Sequence, residues 1–232
     1  MRKFFKWIGV LLLVLLVVLG ILGLIIHEKQ PAINPSKEAD ILAQEMLTRL
    51  NHTAYKNTRH LEWSFQNGKN KYQWDKKKGL VQMTMGDTKL LLNLSFPQKS
   101  KVLAPKNLQK TEKQELIAKG IANFNNDSFW LVAPYKVLDK GTKRTMVELE
   151  DGSKGLMVTY MEGGSTPGDS YLWILDENGF PKSFKMWVSI IPIGGLEATW
   201  DDWLVTESGA FLPKSHKLGP FNLNMGNVAG HN

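Results

Sequence analysis

From Trp7 to Ile26 the chain runs for 20 residues without a charged or strongly polar side chain. This run constrains the fold more than any other feature, because it separates a segment that water will not hold from a remainder that it will. A helix of that length rises about 30 Å, the thickness of a bilayer's hydrocarbon core. Arg2, Lys3 and Lys6 precede the run, and all 22 acidic residues follow it. The bias of basic residues toward the cytoplasmic side therefore predicts a basic cytoplasmic segment over 1–6 and a transmembrane signal-anchor helix over 7–26. A tether over 27–35 would follow, with the rest of the chain in the periplasm. The rival reading is a secretory signal cleaved near Gly23, with release into the periplasm; its apolar core is usually about 7–15 residues and ends at a small-x-small site. No Ala-x-Ala follows this longer run. The chain has no Cys, which excludes an acylated lipoprotein terminus, a disulfide framework and thiolate chemistry.

Beyond the tether the periodicity changes twice. Ser36 can cap a helix whose apolar residues, Ala39, Leu42, Ala43, Met46, Leu47 and Leu50, fall on one stripe. From Leu61 the period becomes two: Leu61, Trp63 and Phe65 alternate with polar residues, and Asn67-Gly68 is a hairpin turn. Tyr72 and Trp74 lead to a lysine tip, then Val81, Met83 and Met85 alternate up to Gly86-Asp87, and Leu90, Leu92 and Leu94 follow. A lysine-rich connection containing Pro97 and Pro105 precedes a second helix, for which Thr111 and Gln114 fit a capping box and Leu116, Ile117, Ile121 and Phe124 supply the stripe. Strands resume over 144–150, 156–161, 170–175, 183–190, 197–206 and 211–218, parted by Asp151-Gly152, Asn178-Gly179, Gly194-Gly195 and Ser208-Gly209. The Gly- and Asn-rich residues 221–232 read as a weakly ordered tail. No period of 20–50 residues repeats, which argues against solenoids and propellers. The pattern predicts a mainly β, α+β domain over 36–220 with about 9–11 antiparallel strands. So many sequential antiparallel strands tend to curl, with two helices available to fill the concave side.

Two segments carry a resemblance. Tyr72–Asp75 reads YQWD before a basic hairpin tip, and 126–141 reads NDSFWLVAPYKVLDKG, with a capped helix between them. In that order they resemble an uncharacterised family of bacterial envelope proteins, similar in turn to the outer-membrane lipoprotein carriers LolA and LolB. The resemblance implies an unclosed antiparallel half-barrel lidded by helices, with an apolar cavity that accepts acyl chains. A soluble shuttle must diffuse, whereas this chain carries an apparent anchor.

Trp63, Phe65, Tyr72, Trp74, Met83, Met85, Trp130, Trp173, Met186, Trp187 and Trp200 mostly alternate with polar neighbours. Any one of them suits an ordinary core. Together, the large indoles with a polar nitrogen and the flexible thioethers suit a surface that accommodates variable apolar ligands, at about 0.8 kcal/mol per buried CH₂. The expected partner besides the membrane is thus a lipid, acyl chain or lipoprotein, bound without cofactor, metal or covalent chemistry, and no catalytic residue is assigned. Lys76, Lys77 and Lys78 form a solvated tip or meet anionic headgroups. A net charge of +7 over 232 residues is weak ground for nucleic-acid binding. Alternatives are an extracytoplasmic hydrolase using Asp202 and a loop serine, Ser165 or Ser170, and an interaction module with a filled core. Against the hydrolase, Asp201 and Asp202 would point to opposite faces of a strand unless a bulge intervenes. Asp202 would then share a face with Leu196, Ala198, Trp200 and Leu204 as a hydrogen-bonded structural acid. The loop GGSTPGDS lacks a nucleophile elbow and the lysine of a phosphate loop, and His27, His52, His60, His216 and His231 have no metal-ligand spacing.

Overall fold

A computed structural model describes residues 23–163 and 165–232, together with Trp7, Leu11, Leu13, Val14, Val17 and Gly20. Among the described residues no helix is long and apolar enough to cross a membrane; half of the span expected over 7–26 falls outside them, and the basic segment 1–6 wholly so.

Helix α1 (Lys37–Arg49) starts where its cap says it should: the Ser36 hydroxyl accepts from the Ala39 N–H at 3.1 Å. Its stripe turns Ala39, Ala43, Met46 and Leu47 fully out of water, and burial of Met46 and Leu47 stabilises by about 1.5–3 kcal/mol each. A short helix, α2 (His52–Asn57), follows from Asn51.

Two large antiparallel sheets carry the rest. The first has six strands in the order β15-β1-β2-β3-β4-β5, from β1 (His60–Phe65), β2 (Asn70–Asp75), β3 (Leu80–Met85), β4 (Thr88–Asn93), β5 (Lys101–Ala104) and β15 (Ala229–His231). The second has seven in the order β14-β13-β10-β9-β8-β7-β6, from β6 (Thr142–Glu148), β7 (Lys154–Tyr160), β8 (Ser170–Leu175), β9 (Pro181–Trp187), β10 (Leu196–Thr199), β13 (Ser215–Leu218) and β14 (Phe221–Asn224). A ribbon of β11 (Leu204–Val205) and β12 (Phe211–Leu212) completes the set, and none of the three sheets is closed. The fold is a β-rich α+β fold. The 15 strands among the described residues exceed the 9–11 expected, for three reasons.

First, Lys101–Ala104 forms edge strand β5 on β4, inside what reads as a connection; being short and lysine-bearing, it has the character of an edge. Second, the strand expected over 197–206 breaks where Asp202 adopts φ 53, and that expected over 211–218 breaks at Pro213-Lys214 into β12 and β13, which belong to different sheets. Third, residues 221–231 are strands, not a loose tail. This last segment joins the sheets. The Met225 N–H donates to the Lys214 carbonyl beside β13, and the Met225 carbonyl accepts from the Ser64 N–H of β1. Thereafter His231, Gly230 and Ala229 pair with His60, Leu61 and Glu62.

The residues expected as a tether are a strap. Glu28 donates its N–H to the Gly194 carbonyl, its own carbonyl accepts from the Trp187 indole at 2.8 Å, and its carboxylate meets Lys185 at 2.7 Å. Further along, Gln30 donates to Ser170, and the Asn34 N–H to the Thr145 hydroxyl. A Cβ at Gly194 would sit 2.8 Å from the Glu28 carbonyl oxygen, so the bare backbone is what lets the strap approach. Trp187 therefore lies on the outer face of the second sheet, one register position from inward-facing Met186, and leaves the interior set expected for it.

Helix α3 (Lys110–Val132) packs on β4 and β5. Its capping box is Gln109 with Glu112, two residues before the expected Thr111 and Gln114. A Cβ at Gly120 would meet Leu90 Cδ1 at 2.4 Å, so glycine sets the close approach of α3 to the first sheet.

Candidate functional site

Of the eleven aromatic and methionine residues expected on an apolar face, all but Trp187 come together. Trp63, Phe65, Tyr72, Met83, Trp173, Met186 and Trp200 are buried members of one hydrophobic cluster, and Trp74, Met85 and Trp130 pack against it partly buried. Period-two alternation is what gathers them: β1 buries Leu61, Trp63 and Phe65, and Trp63 faces Tyr72 in register while Tyr72 faces Met83. On the second sheet Trp173 faces Phe184, which faces Ala198.

The side chains fill the space between the sheets. Trp63 stacks on Tyr72 with centroids 4.6 Å apart, and Phe124 of α3 meets Trp74 edge-on at 5.2 Å. On the second sheet Trp173 lies 5.1 Å from Phe184 and 5.3 Å from Trp200, and Trp130 reaches from α3 to Phe184 at 5.6 Å. The polar atoms of this interior are unusual. The indole nitrogens of Trp63, Trp74, Trp173 and Trp200 are buried with no hydrogen-bond partner among the described residues, as are the Tyr160 hydroxyl and His216 Nε2. An unsatisfied buried polar group costs about 1–3 kcal/mol.

Asp127, Asn70 and His216 belong to this interior although sequence reasoning did not single them out. Asp127 is 1 % exposed. Its Oδ2 accepts from the Tyr72 hydroxyl at 2.6 Å and from the Asn70 amide at 2.7 Å, and its Oδ1 from the Asn126 amide at 2.9 Å. Burial first, and the Asp127 charge second, push the Tyr72 phenol far above its ordinary range, so it stays a donor. The two segments that carry the resemblance thus meet at Tyr72 and Asp127, where the pair fastens α3 to the first sheet. The signal was present: Asp127 falls at i+7 from Gly120 and i+3 from Phe124, an acid on a core stripe.

His216 packs edge-on against Trp200 at 4.5 Å and shares a 2.8 Å hydrogen bond between Nδ1 and the Thr199 carbonyl. Burial holds its imidazole down at about 4, against the opposing pull of that hydrogen bond. The unfolded chain takes up this proton near pH 6.5 and the folded chain resists it. The contribution is therefore whole above about pH 6.5 and fades as the pH falls toward 4, at up to about 1.4 kcal/mol per pH unit. Urea melts of the wild type and His216→Gln across that window check this: the variant should show a flatter acid limb.

The remaining expected residues lie apart from the chamber. Lys76 is half-buried, its ammonium donating to the Tyr55 carbonyl and lying 3.6 Å over the Tyr55 ring, and burial lowers its pKa to about 8. Lys78 is 3.9 Å from Asp75, which also holds Arg59 at 3.0 Å. Only Lys77 and Lys78 of the tip are exposed to water. Asp202 is exposed and accepts from Ser215 at 2.6 Å; its left-handed backbone takes it off the Trp200 face, against the shared-face expectation. Ser170 is buried against Thr159 and Gln30, and Ser165 accepts from Asn125. Among the described residues no cluster of His, Asp or Glu has a metal-binding arrangement. Two surface clefts, about 270 Å³ at Asp202, Ser215 and Asn222 and about 280 Å³ at Pro35, Asp40 and Arg144, include none of the ten chamber residues.

No protein-family model matches the chain, and no curated protein matches it.

Proposed function

We propose that this is a membrane-anchored envelope protein of the lipoprotein-carrier type, binding a lipid or other apolar ligand between its sheets and α3 without covalent chemistry. On this reading the two sheets, joined through Met225, form one unclosed half-barrel from β6 round to β5, with α1 and α3 as its lids. Residues 7–26 are its anchor, in an inner membrane, and the domain stands in the periplasm. The observation that carries the reading is the set of four buried indole N–H groups with no acceptor. A static core gains nothing from them, whereas the ester or amide oxygens of a lipid would accept from them while its chains gain about 0.8 kcal/mol per CH₂ buried. Entry would require α3 to lift Phe124 and Trp130 from the chamber.

A second reading, an interaction module with a filled core, is favoured by the mutual packing of the same rings. The two separate in one experiment. The full-length chain is released from detergent in native mass spectrometry and, in parallel, melted with increasing palmitic acid. The carrier reading expects a one-to-one lipid adduct and a melting point that rises with ligand, equivalent to about 2.7 kcal/mol at a hundredfold excess over Kd. A bare mass together with an unmoved melting point opposes it and favours the filled module.

A further inference from the structure

The loop between β9 and β10, residues 188–195, reads VSIIPIGG. Ile190 in this loop is 71 % exposed, and Phe221 at the start of β14 is 66 % exposed. In an antiparallel sheet of order β14-β13-β10-β9-β8-β7, the ends of β7, β9 and β13 and the starts of β8, β10 and β14 share one end. Ile190, Phe221 and exposed Met161 after β7 therefore sit at the same end of the second sheet. The chain emerging from the apolar run arrives there too. A Cβ at Gly23 would lie 3.8 Å from Ile193 Cδ1, His27 Nδ1 accepts from the Gly194 N–H at 3.1 Å, and Leu24, Ile25 and Ile26 are exposed beside them. Trp187, with its indole on the Glu28 carbonyl, supplies the amphipathic ring that favours a membrane–water boundary. At the opposite end Arg49 approaches Gly179 in the β8–β9 turn, and α2 leads from there to Lys76 at the lysine tip.

We propose that this end of the second sheet is a second membrane contact, in which Ile190, Ile193 and Phe221 enter the headgroup boundary of the bilayer that residues 7–26 span. Isolated apolar side chains on a surface need no explanation, but a cluster continuous with a membrane-spanning segment does. The strap makes the contact rigid. Because Glu28 and His27 are bonded to Gly194, the helix exit cannot move independently of the loop, so the domain stands with its β9–β10 end down and its lysine tip away from the surface. Lys76, Lys77 and Lys78 then face a partner or water and not the headgroups of this bilayer.

The proposal rests on the anchor reading, and the test separates the two. The chain has no cysteine, so Ile190→Cys, Phe221→Cys, Asn178→Cys at the opposite end and Leu13→Cys in the apolar run each accept one nitrobenzoxadiazole label. Full-length variants are reconstituted in nanodiscs of phosphatidylcholine and phosphatidylglycerol, with or without doxyl-labelled lipid. The expected result is lipid quenching at 190 and 221 several-fold above that at 178, together with strong quenching at 13. Labels at 190 and 221 that behave as the one at 178, while 13 is quenched, overturn the docking and leave the anchor standing. An unquenched label at 13 overturns both.

Discussion

Asp127→Ala should be among the most destabilising single substitutions in the domain, by about 3–5 kcal/mol, because it strips the acceptor from buried donors. Tyr72 and Asn70 are each 2 % exposed, so water cannot replace the carboxylate without opening the seam between α3 and β2. For a domain of this size such a loss lowers the melting point by on the order of 10 °C. Asp127→Asn keeps one oxygen for the Tyr72 and Asn70 donors and loses only the charge-assisted part of the bonds, a smaller cost of about 1–2 kcal/mol. Tyr72→Phe alone removes one donor to the carboxylate and should cost about 1.5–3 kcal/mol, the worth of a hydrogen bond to a charged group. In the Asp127→Ala background it should cost nothing or stabilise, since the orphaned hydroxyl goes with it. Urea melts of the four variants give the coupling energy directly; additive losses would mean that the phenol and the carboxylate do not share a bond.

The same pair shows what the sequence discloses and what it withholds. Alternation and turn residues announced most hairpins, and Ser170–Leu175 is a strand over the limits expected for it, because period-two burial and Gly-containing turns are local signals. Ser36 was legible as a cap for the same reason. The cap of α3 was not: Gln is a poor cap statistically, and Thr111 was the better local choice until Gln109 and Glu112 closed their reciprocal bonds. Failures concentrate where tertiary pairing overrides composition. Asn222, Asn224 and Gly226 look like a disordered end, yet β13 and β1 supply partners on both sides of the segment. Gly194-Gly195 read as a strand breaker, while its second role, admitting the Glu28 backbone, depends on residues more than 160 positions away. The alternation around Trp187 suits an apolar face, but it fixes only that Met186 and Trp187 oppose each other. The chamber residues were legible as a set, since an apolar face at period two must gather somewhere. Asp127 required asking why an acid stands on the apolar stripe of a helix.

Trp173→Ala should cost about 3–5 kcal/mol, whereas Trp173→Phe should cost far less, about 1 kcal/mol, and the gap between them is informative. Trp173 is fully buried, and its ring meets both Phe184 and Trp200; alanine leaves a cavity that two large aromatics cannot collapse into. Phenylalanine keeps a ring in that position and removes an indole N–H that has no acceptor, so the volume it loses is partly offset by relief of the unsatisfied donor. The two substitutions should separate differently in ligand binding. If lipid oxygens accept from the indoles, Trp173→Phe weakens palmitate binding several-fold, read as a smaller rise in melting point at the same ligand concentration, by loss of one buried hydrogen bond worth about 0.5–1.5 kcal/mol. A phenylalanine variant as unstable as the alanine one would mean that the nitrogen is bonded in the folded chain, leaving no free indole donor at 173 for a lipid oxygen.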